Sequence, residues 1–342
     1  MKVILVGSKR GFTASEGFGV KRYMYELKNH LEKMPGIEVL ALERKNPILP
    51  VSINEKDMDL VHVLDAIPVK RPKDVPLIYT CHDFHPFTVP ELNPYDYKTV
   101  KGLLGLNLSL FPGYKSTLRS DAIICNSTQT RQEAIGLGFD PKRAYVSNHG
   151  IDERFIKRTI SKQPLDAKFR VGYIGALSTT KNVGFTIRAF KLLKETSIQF
   201  DIWGLKQEAY KELKALAGND RRINFMGFAP EKDIVGIYDS FDVFVHPTLY
   251  EGFCLPILEA QARGLPVLTY SKALIPKEVR RYCIETENEE DMAQRIEELM
   301  KKGYSEKKRN LAKEYARKFT WATNAKETAA IYRKILADYE SN

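Results

Sequence analysis

The stretch that decides the reading is Asp242–Val267, DVFVHPTLYEGFCLPILEAQARGLPV. It opens on an apolar run that closes at His246-Pro247, passes through a loop carrying Glu251-Gly252-Phe253, and enters a helical pattern near Leu255-Pro256. Pro256 suits the first turn of a helix, where the missing N–H costs nothing. A second apolar run starts after Gly264. Strand, loop, helix and strand in that order make one repeat of an α/β domain. Glu251 falls ahead of the helix and Glu259 about one turn inside it. Backbone amides of Phe253–Leu255 facing out of the helix start form a ready anion site. A carboxylate beside them can take two hydroxyls of a sugar or ribose at once.

Working outward, the same rhythm runs through the chain. Strands are predicted at Lys2–Gly7, Glu38–Leu42, Leu60–Leu64, Leu77–Cys81, Ala122–Cys125 and Ala144–Ser147, and again at Phe169–Ile174, Gln199–Trp203, Ile223–Met226, Asp242–Val245 and Pro266–Thr269. Their Val/Ile/Leu runs are continuous, not alternating, which predicts parallel sheets covered on both faces. Helical patterns lie between them, including Val20–Lys33, Val183–Lys194 and Asp291–Lys301, and a last one from Trp321 to Tyr339. The charged, Pro-containing stretch Asp152–Ala167 interrupts the pattern. The expected organisation is therefore two Rossmann-like α/β domains, 1–155 and 156–320, joined by a linker near 155–167, with a final helix in 321–342.

Composition agrees. A chain of 342 residues fits about two domains. Its 43% hydrophobic and 28% charged residues exclude a disordered or fibrous chain. No apolar run reaches the roughly 18–20 residues of a spanning helix. The apolar stretch at the start is shorter than a signal-peptide core, so a cytoplasmic chain is expected. Cys81, Cys125, Cys254 and Cys283 show no CxxC spacing, which argues against a zinc knuckle or a disulfide framework. The net charge of +10 is spread over both halves and favours anionic partners. No zinc-finger, RNP or basic-stripe motif accompanies it, so nucleic acid is not expected as a partner. The loop GSKRGFTASEGFG after the first strand lacks the GxGxxG of dinucleotide-binding enzymes.

Several motifs then share one family resemblance. Gly17-Phe18-Gly19 precedes a helix, Thr80-Cys81-His82-Asp83 ends a strand, and Asn126-Ser127 is followed by Asn148-His149-Gly150-Ile151-Asp152. Tyr173-Ile174-Gly175 with Lys181-Asn182 opens the second half, Glu251 and Glu259 follow, and FTWATNAKETAAIYRKIL closes the chain. In this order and spacing the sequence resembles the retaining glycosyltransferases of family 4, of the E-x7-E type, over nearly its whole length. The resemblance implies the two-domain GT-B fold, with a final helix crossing back to the N-terminal domain. It also implies transfer of a hexosyl group from a UDP-, GDP- or ADP-sugar to an acceptor hydroxyl with retained anomeric configuration.

Residue roles follow from the resemblance. Lys181 neutralises the donor diphosphate, and Gly17 and Gly19 let backbone approach it closely. Glu251, with the amides of Phe253 and Cys254, holds the transferred sugar, Glu259 holds the ribose hydroxyls, and Gly252 and Leu255 also belong to the donor-binding site. His82 meets the sugar from the N-terminal domain through its side chain or its carbonyl. His82, Glu251 and Lys181 are the expected catalytic residues. No resident cofactor and no metal are implied. Asp57-Met58-Asp59 resembles the DxD of metal-dependent sugar transferases, but it stands where a strand begins, whereas sites on parallel sheets gather where strands end.

Two positions depart from the family pattern. Ala176 stands where an Arg commonly pairs with the lysine, leaving Lys21, Arg22 or another basic group to substitute, or donor affinity to be lower. Cys254 stands where glycine is usual. Two rival readings accompany the resemblance: another GT-B chemistry, such as a nucleotide-sugar epimerase or hydrolase, and an inactive sugar-nucleotide binding protein. The expected acceptor is a glycan or a lipid-linked acceptor. Peripheral membrane contact is suggested by Lys98–Arg119, KTVKGLLGLNLSLFPGYKSTLR, which is basic and Leu-rich. A core helix, or a loop over the acceptor, is the competing reading of that segment.

Overall fold

Val3, Ile4, Leu5 and Val6 of strand β1 (Lys2–Gly7) are all buried, which requires cover on both faces of the sheet and explains the unbroken apolar run. β1 lies between β2 (Glu38–Glu43) and β3 (Leu60–Val63), parallel to both. The sheet continues through β4 (Leu77–Cys81), β5 (Ala122–Cys125) and β6 (Ala144–Val146) in the order β2-β1-β3-β4-β5-β6. This computed structural model describes residues 1–12, 19–45, 49–84, 111–157 and 168–341. The chain divides into two compact units, Met1–Gly150 with Phe319–Asn342, and Ile151–Lys318.

The first unit's described residues include the helices α1 (Val20–Leu31), α2 (Phe111–Leu118) and α3 (Thr128–Gly136). In the second unit a short α4 (Glu153–Lys157) precedes β7 (Phe169–Ile174), α5 (Val183–Leu192), β8 (Ile198–Trp203), α6 (Tyr210–Ala217) and β9 (Ile223–Gly227). Then come α7 (Ile234–Asp239), β10 (Val243–His246), α8 (Leu255–Ala262), β11 (Val267–Tyr270), α9 (Lys277–Arg280), β12 (Ile284–Thr286), α10 (Glu289–Lys302) and α11 (Glu306–Ala316). All sheet pairs are again parallel, in the order β12-β11-β10-β7-β8-β9. Counted from β7, that is the doubly wound order 3-2-1-4-5-6.

The last helix, α12 (Trp321–Glu340), belongs to the first unit and packs on α1. Trp321, Ala325, Thr328, Ala329, Tyr332 and Ile335 form its buried stripe at helical spacing. Thr320 caps it, its hydroxyl accepting from the Thr323 amide at 3.1 Å. Here the structure agrees with the expected GT-B architecture and returning helix. Several elements escape the sequence pattern: the helices α2, α3, α7 and α9 were not expected, and α4 forms at the start of the stretch 152–167 read as an interruption. β12 is three residues long, and α11 buries only Ala312 and Ala316 in an otherwise charged helix.

Candidate functional site

In an open parallel sheet the crevice lies beyond the strand C-termini where the winding reverses. In the second unit that point is between β7 and β10, the two central strands. After β7 the chain makes a 3-10 turn, Thr179–Lys181, and Asn182 takes a left-handed conformation (φ 51°) before α5. This turn is tied to the loop after β10. Thr180 O accepts from the Leu249 amide at 2.8 Å and from Thr248 Oγ1 at 3.2 Å, and Asn182 Nδ2 donates to Pro247 O at 3.2 Å. The Glu251 amide in turn donates to Leu274 O at 2.9 Å. Lys181 and Glu251 are thereby brought together from positions 70 residues apart, with Lys181 Nζ 2.6 Å from Glu251 Oε1.

His246, the last residue of β10, places Nε2 2.9 Å from the same oxygen. Its side chain is buried, and its ring lies nearly parallel to Tyr173 (5.8 Å, 13°) and Phe244 (6.0 Å, 16°). Burial alone raises the pKa of Glu251. The Lys181 charge and the His246 hydrogen bond outweigh it and hold the carboxyl down to about 2. Burial lowers the pKa of His246, with Glu251 opposing and Lys181 reinforcing, so the imidazole is neutral. Its Nε2 therefore donates to the carboxylate.

One helical turn on, Glu259 Oε2 accepts from the buried Tyr238 hydroxyl at 2.8 Å. Between the two glutamates α8 begins at Leu255, with Pro256 in its first turn. Gly252 and Leu255 are half-buried, while Phe253 and Cys254 are buried. Cys254 carries φ 83°, a left-handed backbone that L side chains disfavour. Ala176 O accepts from Tyr173 Oη at 2.8 Å. Lys181, Gly252, Phe253, Cys254, Leu255, Glu251 and Glu259 are thus gathered at one sheet edge. His246, Glu251 and Cys254 also bring three atoms of metal-ligating type within 4.8 Å of one another, a group found among the described residues. The Lys181 ammonium already supplies the positive charge at that carboxylate, and no metal is assigned to the group.

The first unit has its own C-terminal edge. His82 follows β4 directly, with Nε2 2.9 Å from Leu64 O, so this nitrogen carries a proton and donates. The His82 carbonyl accepts from Asn126 Nδ2 at 2.8 Å. Both routes by which His82 was expected to act already have a partner at one atom, which leaves Nδ1 as the remaining ring nitrogen. Behind it a buried chain runs from Tyr23 Oη to Thr80 Oγ1 (2.7 Å), to His62 Nε2 (2.8 Å), and from His62 Nδ1 to Tyr332 Oη on α12 (2.5 Å). Asp65, His82, Asp83, Thr80, Thr117 and Tyr114 border a cleft of about 60 Å³ beside it.

Gly19 caps α1 at φ 59°, a backbone region open to glycine. Gly17 lies outside the described residues, as do positions 98–110 of the basic, Leu-rich segment and 158–167 of the linker. Arg22, one possible substitute for the missing arginine, is ion-paired with Glu26 at 2.8 Å. Asp59 Oδ2 accepts from the Lys2 amide at 2.6 Å at the start of the sheet, a structural use that fits the exclusion of the DxD-like triplet. Sequence reasoning passed over His246, Tyr238 and the His62 chain. A histidine inside a buried strand end was the one available signal.

The sequence matches the family described as "Glycosyl transferases group 1" over residues 156–319 and "Glycosyltransferase Family 4" over 44–155. An O-antigen chain mannosyltransferase B of Escherichia coli is 27% identical over 216 residues, covering 59% of this chain and 55% of that protein. The chain thus spans little more than half the length of this curated relative. Among solved structures, a sucrose-phosphate synthase from Thermosynechococcus elongatus superposes with a TM-score of 0.76 at 15% identity, over 99% of this chain and 100% of that one. The HepE protein of Anabaena, solved in complex with UDP and glucose, gives 0.69 at 17%, over 98% and 100%. No helix among the described residues is long and apolar enough to cross a membrane. With both units wound as parallel sheets and matched in turn by these two families, the chain belongs to the GT-B-fold glycosyltransferases related to family 4 and group 1.

Proposed function

We propose that this chain transfers a glycosyl group from a nucleoside-diphosphate sugar to an acceptor hydroxyl, with retention of configuration and without a metal ion. The observation that carries the reading is the convergence of Lys181, Glu251 and Glu259 on the first turn of α8. A departing diphosphate is an anion, and preorganised positive charge lowers its energy as it leaves. Lys181 and the amides at the start of α8 supply that charge. Glu251, ionised, accepts hydroxyls of the transferred sugar, and Glu259, oriented by Tyr238, accepts the ribose hydroxyls. The diphosphate takes the acceptor proton on the face it leaves, which accounts for retention. In the first unit His82 stands at the acceptor side.

The HepE complex supports testing uridine donors first. A relative named as an O-antigen chain mannosyltransferase supports a glycan acceptor. Contact with a membrane rests on Lys98–Arg119, which has four basic residues and no acidic one. Co-sedimentation with anionic vesicles at low salt is expected to pellet the protein, and a fully soluble protein would remove this part of the proposal.

The central test begins with a thermal-shift screen of UDP-, GDP- and ADP-sugars, since the true donor raises the melting temperature by mass action. Lys181→Ala and Glu259→Ala should each lower transfer at least about tenfold, the size expected for charged hydrogen bonds worth roughly 1.5–3 kcal/mol. Unimpaired turnover in both variants, with native circular dichroism, would refute the site.

A further inference from the structure

The geometry of the second unit poses a problem for its own lysine. Lys181 is needed at the diphosphate, yet it sits 2.6 Å from Glu251 Oε1. If it were the sole partner of that oxygen, turning toward a donor would strand a carboxylate whose side chain is only 12% exposed. A largely desolvated carboxylate resists losing a charged partner. His246 supplies a second donor to the same oxygen at 2.9 Å.

The imidazole is held for this task from several sides. Tyr173 and Phe244 lie nearly parallel to its ring and fix its plane. Nδ1 is buried with no hydrogen-bond partner among the described residues. A proton there would be an unsatisfied buried donor, while a lone pair on Nε2 would face a carboxylate oxygen. Both ends of the ring therefore select the tautomer with the proton on Nε2.

We propose that His246 is a positioning residue of the transfer site: by donating Nε2–H to Glu251 Oε1 it keeps the carboxylate aimed and hydrogen-bonded while Lys181 turns to the donor diphosphate. This rests on the roles given to Lys181 and Glu251 above. His246 touches neither donor nor acceptor in this scheme and acts through Glu251. Among the described residues, Lys181 from the 3-10 turn, His246 from β10, Tyr173 from β7 and Cys254 from the loop are titratable or charged groups that face Glu251. Burial opposes its ionisation, so removing the His246 donor moves its titration upward.

His246→Phe keeps an aromatic ring in the stack and deletes the donor, and His246→Gln restores an N–H near the position of Nε2. With the donor sugar that the thermal screen identifies, His246→Phe should raise the donor KM by about tenfold. It should also move the acid limb of kcat/KM upward by about one pH unit. His246→Gln should recover most of both effects. A wild-type pH limb in His246→Phe, or a glutamine variant no better than phenylalanine, would overturn the proposal. Should the phenylalanine variant fold poorly, nitrogen NMR of the unaltered protein decides. The expected signal is a protonated Nε2 with a bare Nδ1 at pH 8, perturbed by Glu251→Gln. A proton on Nδ1, or no response to Glu251→Gln, would sink it. The NMR signal reports this proposal even if no sugar is transferred, whereas turnover by the unaltered chain reports the functional reading.

Discussion

The two units share an architecture and differ in how they hold polar groups at the strand ends. In the first, the sheet order turns between β1 and β3. In the second it turns between β7 and β10. The second unit keeps its polar groups charged and paired: Lys181 with Glu251, and Arg263 with Asp239. In the first, the buried chain behind His82 is neutral. Burial, with His82 adding to it, holds His62 down to about 3, and burial likewise holds His149 well below the usual histidine range. Tyr23, Thr80, His62 and Tyr332 share hydrogen bonds in place of charges. Paired charges can be redistributed when an anion arrives, whereas a saturated neutral chain can only be kept or broken. The second unit is thus built to respond, and the first to stay as it is.

The largest effect should come from breaking the deepest pair. Arg263 places Nε and Nη2 on Asp239 at 2.7 and 2.8 Å and Nη1 on Phe155 O at 3.0 Å, with both side chains almost fully buried. Arg263→Met strands the Asp239 carboxylate and should cost about 3–5 kcal/mol. The molecule offers its own probes, because its two tryptophans fall one to each unit, Trp203 in the second and Trp321 in the first. Denaturant unfolding read from Trp203 in a Trp321→Phe background should show the loss. If the Trp321 transition, read alone, shifts equally, the units are not energetically separate and the comparison fails.

The matching cut in the first unit is Thr80→Val. It keeps the shape and removes the oxygen that joins Tyr23 to His62, leaving two buried polar groups short of a partner. The expected cost is about 2–3 kcal/mol, read from Trp321. A change under about 0.5 kcal/mol, the range of an ordinary surface substitution, would mean that the chain of hydrogen bonds contributes nothing.

These two predictions rest on groups that the sequence does not advertise. The strands other than β12 and about half of the described helices are legible in a continuous apolar run or a helical repeat, and Glu251 and Glu259 as carboxylates around a helix start, whereas Lys181 stands out only through the family resemblance. Arg263 with Asp239 and Thr80 with His62 leave no local mark, since partners from separate elements meet only through the sheet order. His246 was visible as the end of a strand, but its partner was not, because the register of β10 against β7 and the fold of the following loop decide where its ring points. The difference in strand order between the units was equally silent, since both halves present the same apolar runs.

The third prediction concerns pH. Glu251 titrates near 2 in the folded chain, below the usual glutamate value, so its contribution is fully present above about pH 5 and is lost as pH falls toward 2. A depression of this size is worth about 3 kcal/mol at neutral pH, of which about 2 kcal/mol should be gone by pH 3. Glu251→Gln should flatten that part of the acid limb of the Trp203 transition and leave the Trp321 transition unchanged. An identical limb in both proteins would mean that the Lys181–Glu251 pair does not stabilise the second unit.

The smallest effect tests where backbone strain is kept. Arg10, Asp57, Asn182 and Cys254 are the described non-glycine residues with positive φ, and the last two flank Lys181 and Glu251 in the second unit. Asn tolerates that region through its short polar side chain, but Cys does not. At Cys254 (φ 83°) two costs oppose each other. Glycine removes a left-handed penalty of about 1–2 kcal/mol. It also forfeits the burial of the thiol and adds about 0.5–1 kcal/mol of chain entropy. Cys254→Gly should therefore change stability by less than about 1 kcal/mol. Cys254→Ala keeps the penalty and still loses the sulfur, so alanine should be the less stable of the two, the reverse of the usual order in which Gly→Ala gains about 0.4–1 kcal/mol. Melting followed at Trp203 ranks the pair. An alanine variant more stable than the glycine one would show that this backbone carries no strain, and that the second unit's responsiveness comes from its charges alone.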